Sequence, residues 1–171
     1  MTMHRVVGAV ALYENRLIRY LANLVVKLDL DTRDFVIFGS GPLFAHGLRQ
    51  RISDLDVVAR GTVWRRVSEH GLPATGTING APLALFWDGK VQFSRGWISD
   101  DWDADTLIDS AEIIHGMPFA RLGDVLAYKQ TLRRPKDLQD IEDIEAMLRS
   151  RPSGDQSQAD SEPSDPGNDQ K

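Results

Sequence analysis

The chain contains no cysteine. Disulfides and thiolate chemistry are therefore excluded, and a zinc site would need other ligands. The four histidines, His4, His46, His70 and His115, show no metal-ligand spacing. No apolar stretch is long enough to span a membrane. Residues 6–12 are apolar behind His4 and Arg5, but they run into Tyr13, Glu14, Asn15 and Arg16 without a small-residue cleavage site. That segment reads as a helix start rather than a signal peptide. There is no internal repeat. The expectation from these absences is a cytoplasmic protein.

What is present is globular. The 171 residues, 42% of them hydrophobic, suffice for one domain with a proper core, placed at residues 1–150. Residues 151–171 differ: they hold three prolines, five acids and no apolar side chain larger than Ala159, the composition of a disordered tail. With two basic residues, the tail supplies −3 of the formal −5 and leaves the folded part near −2. Basic residues nevertheless cluster at Arg49 and Arg51, at Arg60, Arg65 and Arg66, and at Arg133, Arg134 and Lys136. Each cluster alone reads as a solvated face; their grouping around the motifs below hints at a polyanionic partner.

Apolar periodicity predicts a helix over residues 8–28 and a polar turn over 29–34. Strands follow at 35–38 and 52–59, with short helices at 42–48 and 63–70, the latter stopped by Gly71. Residues 82–86 and 91–97 flank an Asp88-Gly89 pair and predict a β-hairpin. A helix at 105–111, weak strands at 112–115 and 118–120 around Gly116, and helices at 121–132 and 135–149 complete the reading. The expected class is α/β (α+β), a small mixed sheet with flanking helices.

Two motifs carry chemistry. Gly39-Ser40 follows the strand at 35–38 at a strand-to-helix turn, where exposed N–H groups attract phosphate. After thirteen intervening residues comes Asp54-Leu55-Asp56-Val57. On a strand the two aspartates share a face while Leu55 and Val57 enter the core. Paired carboxylates repel unless a cation lies between them, and Mg²⁺ suits an all-oxygen site. The bland alternative is a glycine turn and two solvated aspartates at a strand end. In the second motif, Lys129 interrupts the apolar stripe Leu122, Val125, Leu126, Leu132. It is either a snorkelling residue at the stripe's edge or an ammonium reaching into a negatively charged site. Asp137 and Asp140 flank the next stripe near a helix N-terminus, where acids also suit the helix dipole.

Gly39-Ser40 with Asp54-x-Asp56 resembles the signature of the DNA polymerase β-like nucleotidyltransferases. The segment from Leu126 to Ile141, with Lys129 followed by Arg134-x-Lys136-Asp137-x-x-Asp140, looks like the C-terminal motif of the AbiEii-like, toxin-type minimal members. The resemblance covers residues 30–149. It implies a polymerase β-like fold and transfer of a nucleoside monophosphate from an NTP to an RNA, a tRNA or a protein hydroxyl, as a toxin with a cognate antitoxin. Asp54 and Asp56 would hold Mg²⁺ or Mn²⁺, and Gly39 and Ser40 would bind the outgoing phosphates. Lys129 would neutralise the triphosphate, and Asp140 would orient Lys129 or contact the nucleotide. Fully equipped members carry a third carboxylate on a later strand. Here its place falls on Gln92 or Ser94, neither of which is a carboxylate base. A degenerate domain that binds nucleotide or a protein partner without transfer stays open for that reason. A small-molecule transferase of the antibiotic-modifying kind fits less well, since no second substrate domain follows the motifs.

Overall fold

A computed structural model describes residues 6–77, 80–96 and 103–150. The expected tail and the end of the predicted hairpin at Trp97 lie outside the described residues. Two helices, α1 (Ala9–Glu14) and α2 (Arg16–Lys27), replace the single helix expected over 8–28. The apolar periodicity runs across the junction and hides it. The break is made by Asn15, whose backbone is extended and whose Oδ1 accepts from the N–H groups of Leu17 (3.0 Å) and Ile18 (3.2 Å). This is an N-cap that supplies partners to the otherwise orphaned first donors of α2.

The strands are β1 (Phe35–Phe38), β2 (Leu55–Ala59), β3 (Leu72–Thr75), β4 (Pro82–Phe86), β5 (Val91–Ser94), β6 (Glu112–Ile114) and β7 (Met117–Phe119). They form one mixed sheet in the order β3-β4-β5-β2-β1-β7-β6. β1 runs antiparallel to β2 and parallel to β7, and β2 runs parallel to β5. The remaining helices are α3 (Gly41–Ala45), α4 (Gly61–His70), α5 (Ala104–Asp109), α6 (Leu122–Leu132) and α7 (Leu138–Ser150), with a 3₁₀ turn at Pro135–Asp137. The class is α+β, as the sequence pattern indicates. Among the described residues no helix is long and apolar enough to cross a membrane.

The sheet separates two cores. On one face Phe35, Ile37, Leu55, Val57 and Phe93 pack against α1, α2 and α4 through Leu12, Leu21, Leu24, Val63 and Val67. On the other, Val36, Phe38 and Val58 pack against α5, α6 and α7 through Leu107, Val125, Ile144 and Met147. Successive strand residues serve opposite faces, which is why β1 is buried at every position. The hairpin β4–β5 forms as predicted, with Trp87, Asp88 and Gly89 all at positive φ.

The structure refines the sequence reading at β3, at Gly71 and at the start of β2. β3 was not expected: its Leu-Pro-Ala-Thr sequence is exposed, short and carries a proline, properties that are tolerated because it is the sheet's edge. Gly71 does end α4, but at φ −83° rather than in the left-handed region. Its smallness is what matters, because a Cβ there would lie 2.9 Å from the Phe86 ring and 3.0 Å from the Val67 carbonyl. β2 begins at Leu55 rather than residue 52. β1 ends at Phe38, paired with Asp56, so residues before Asp56 have lost their β1 neighbour.

Replacing Asn15 by Ala leaves two amide donors without their acceptor. A loss of about 1 kcal/mol is expected in urea unfolding. An unchanged midpoint would show that the α1–α2 break is held by packing alone.

Candidate active site

β1 delivers the chain to Gly39, which takes φ +66° and turns it toward α3. Asp56 stands directly against this turn: a Cβ on Gly39 would sit 2.9 Å from Asp56 Oδ2. The position therefore requires glycine twice over, for its backbone angle and for the space beside the carboxylate. Leu55 and Val57 are fully buried as expected, and Asp54 and Asp56 are exposed. Asp54 lies one residue before β2, at its mouth, rather than within the strand. Asp56 is open to solvent yet closely surrounded by protein, as a residue on the floor of a concavity would be. Loss of solvation, and then the neighbouring charge of Asp54, push its carboxyl up to about 6. Lys136, Arg134 and Lys129, in that order of strength, pull it back.

Strand register fixes which side of the sheet this is. Phe38 pairs with Asp56, and Asp56 with Gln92, so all three share a face. Phe38 belongs to the core formed with α6 and α7 and meets the Tyr128 ring edge-on at 5.1 Å. Burial, reinforced by Asp56 and Asp137, raises the Tyr128 hydroxyl to about 12. The C-terminal motif thus lies over the same face as the aspartates.

Lys129 is neither snorkelling nor free. It is 4% exposed, and its Nζ lies 3.1 Å from Asp137 Oδ1 and 3.0 Å from Asp140 Oδ2. Both acids are themselves buried, so they are more than dipole-capping residues. Arg134 Nε donates to Asp137 Oδ2 at 2.7 Å. Burial alone would raise Asp137, but hydrogen bonds from Arg134 and Lys129 outweigh it and hold the carboxyl below its ordinary value.

Sequence reasoning placed Arg49 in a basic cluster and missed its role. Its guanidinium grips Asp140 through Nε (2.9 Å) and Nη2 (2.5 Å), and Nη1 donates to Ser40 Oγ at 3.3 Å. α3 ends at Ala45 rather than residue 48, because the N–H groups of both Leu48 and Arg49 turn back to the Leu43 carbonyl. That reversal aims Arg49 at Ser40. Arg49 and Asp140 are 91 residues apart, so no local pattern announced the pair. The structure therefore brings Gly39, Ser40, Asp54, Asp56, Lys129 and Asp140 into one region, with Arg49 as the tie between the two motifs.

Other residues fall elsewhere. Gln92 stands beside Asp56 in register, and its Nε2 donates to the Gly89 carbonyl at 3.1 Å. Ser94 pairs with Val58, farther along the same face. Arg60 lies at the far end of β2 and is bound to Asp34, Asp105 and Asp109, while Arg66 is bound to Asp29. That cluster pins α5 and the turn after α2 and does not surround the aspartates, contrary to the sequence reading. Among the described residues no group of three or more His, Asp or Glu side chains is arranged to hold a metal ion. No protein-family model, curated protein or solved structure matches the chain.

Two outcomes are expected. Lys129→Met strands two buried carboxylates that Arg134 and Arg49 only partly compensate, and should cost roughly 3 kcal/mol in urea unfolding. Adding Asp140→Asn should cost less than the two single losses together. Equal stability of Lys129→Met and wild type would mean that the ammonium is dispensable to the fold. Asp56, with its raised folded value, makes the fold less stable as pH rises from the ordinary carboxylate range through about 6. In metal-free buffer Asp56→Asn should therefore raise the melting temperature at about pH 8 and leave it unchanged at about pH 4. A rise of equal size at both would assign the effect to packing.

Proposed function

We propose that this protein is a metal-dependent nucleotidyltransferase. It would move a nucleoside monophosphate from an NTP to a hydroxyl of RNA, tRNA or a protein, in the manner of the toxin-type minimal enzymes its motifs resemble. The observation that carries the reading is the convergence of two motifs read independently. Asp56 abuts the Gly39-Ser40 turn, and Arg49 joins Ser40 to the acid that holds Lys129.

The donor set suits Mg²⁺ or Mn²⁺ shared with a triphosphate. Asp54 and Asp56 form an uncompensated pair in which Asp56 resists ionisation, and glycine leaves room beside Asp56 Oδ2. Mg²⁺ takes one or two carboxylates and completes its shell with waters and substrate phosphates, so two protein acids are sufficient. A metal held there would neutralise charge on the reacting phosphate and the departing pyrophosphate. In the transfer, the acceptor oxygen forms a bond to the α-phosphorus while the bond to the pyrophosphate oxygen breaks. The hydroxyl proton must leave as well. Gln92, beside Asp56, accepts no proton at neutral pH, so water would receive it. The residues around the site then act mainly by placing charge. Ser40 and its turn face the phosphates, and the Lys129 network fixes the positive side.

Gln92 also favours a second reading, a domain that binds nucleotide without transferring it. One experiment separates the two. The protein is incubated with each α-labelled NTP, Mg²⁺ or Mn²⁺ and total RNA, and RNA and protein are resolved on gels. Slow labelling is expected, absent in Asp54→Asn with Asp56→Asn, and faster in Gln92→Asp. If wild type and Gln92→Asp both bind NTP but label nothing, the binding-only reading stands.

A further inference from the structure

We propose that Lys136, rather than Lys129, is the cation that meets the polyphosphate of a ligand bound at Asp54 and Asp56. The inference rests on the nucleotidyltransferase reading for the ligand's class, and on the ion-pair geometry for the residue. Lys129 is buried and spent. Its ammonium touches two carboxylates, and a phosphate could reach it only by displacing Asp137 or Asp140. Arg134 is committed to Asp137, and Arg49 to Asp140. Lys136 differs from all three. It is exposed, and among the described residues it forms no ion pair.

Its place is nevertheless fixed. Lys136 sits in the 3₁₀ turn Pro135–Asp137, between Arg134 and Asp137, whose side chains lock together. The Arg134 N–H donates to Asp137 Oδ2, and the Asp137 N–H donates to the Arg134 carbonyl. Pro135 stiffens the turn further. The same Asp137 is anchored to Lys129 on α6, which packs over the Phe38–Asp56 face. An exposed lysine side chain is thereby carried on a closely hydrogen-bonded turn. The same network reaches the aspartates: Asp140 binds Arg49, Arg49 donates to Ser40, and the Gly39 turn beside Ser40 stands against Asp56 Oδ2. Among the described residues no ion pair joins Lys136 to Asp56.

The charges balance in the way a metal–polyphosphate needs. One side presents Asp54 and Asp56. The opposite side holds Lys129, Arg134 and Arg49 against Asp137 and Asp140, a surplus of one positive charge, and Lys136 adds a second. Asp54 and Asp56 would hold the metal that accompanies the polyphosphate, and Lys136 would take phosphate oxygens. Lys129 becomes a positioning residue that holds the turn on which Lys136 rides.

The test uses the full chain, with Lys136→Met and Lys136→Arg, and two probes. The first is each NTP with Mg²⁺, compared with its nucleoside monophosphate; the second is inorganic tripolyphosphate with Mg²⁺. Lys136 is exposed, so both variants should melt with the wild type. Lys136→Met should weaken NTP and tripolyphosphate binding about tenfold or more, consistent with a lost charge-assisted contact, and leave monophosphate binding unchanged. Lys136→Arg should retain most of the affinity. NTP and tripolyphosphate affinities in Lys136→Met equal to wild type would overturn the role of Lys136 and leave the nucleotidyltransferase reading intact. Tripolyphosphate binding that depends on Lys136, with no preference for any NTP, would uphold the polyphosphate contact and overturn the nucleotide reading. Binding of neither probe by wild type would overturn both.

Discussion

The ammonium of Lys129, held between Asp137 and Asp140, is the contact on which the arrangement of the site depends. Each partner carries the constraint outward. Asp137 fixes Arg134 and the 3₁₀ turn, and Asp140 fixes Arg49, which reaches Ser40 at the end of β1. A chain of charge-assisted hydrogen bonds therefore runs from α7 to the Gly39 turn. Buried ion pairs are poor stabilisers compared with apolar side chains of equal volume, because desolvation consumes much of the Coulomb gain. What such a network does well is enforce position, since any slip of α6 against α7 would leave a buried charge without its partner. Hydrophobic contacts between Val125, Leu122, Ile144 and Met147 hold the same two helices but tolerate small displacements.

Two carboxylates in this region respond to pH in opposite directions. Asp137 is held below its ordinary value, so its contribution to stability is present at neutral pH and is lost as pH falls through its folded value. Asp56 is raised, so its charge works against the fold as pH rises through about 6. The difference is one of partners. Asp137 receives hydrogen bonds from Arg134 and Lys129, whereas Asp56 is desolvated beside Asp54 and forms no ion pair among the described residues. Opposite shifts in neighbouring acids are a recurring mark of functional sites, where one group serves structure and another is left exposed to a ligand.

Much of the frame was legible in the sequence. The apolar run of β1, the Asp-Gly hairpin and the helices around Pro135 follow from local pattern, because each is decided by residues close in the chain. The alternation around Asp54 and Asp56 correctly sent Leu55 and Val57 to the core. What escaped has non-local causes. Asn15 caps α2 in the middle of an unbroken apolar stripe, so periodicity outvoted the cap. The edge strand β3 has almost no pattern of its own and exists through β4. Lys129 could be read either as a stripe-edge residue or as an ammonium reaching a charged site, because its carboxylate partners lie beyond its own helix. Arg49 could be recognised only once the fold had brought it to Asp140.

The placement of charge also argues against a purely structural account of the aspartates. Where this protein needs ion pairs for structure, it makes them closely: Arg60 binds three acids, and Lys129 binds two. Asp54, Asp56 and Lys136 are treated differently. Asp56 feels Lys136 more than any other cation, yet among the described residues none of the three enters an ion pair. Loss of solvation, and then the charge of Asp54, keep the Asp56 carboxyl raised even so. The hydrogen-bonded 3₁₀ turn fixes the backbone that carries Lys136, and the Gly39 turn stands against Asp56. A body with cationic character toward Asp54 and Asp56 and anionic character toward Lys136 would complement these charges, and a metal-bound phosphate chain, the ligand proposed above, has that polarity.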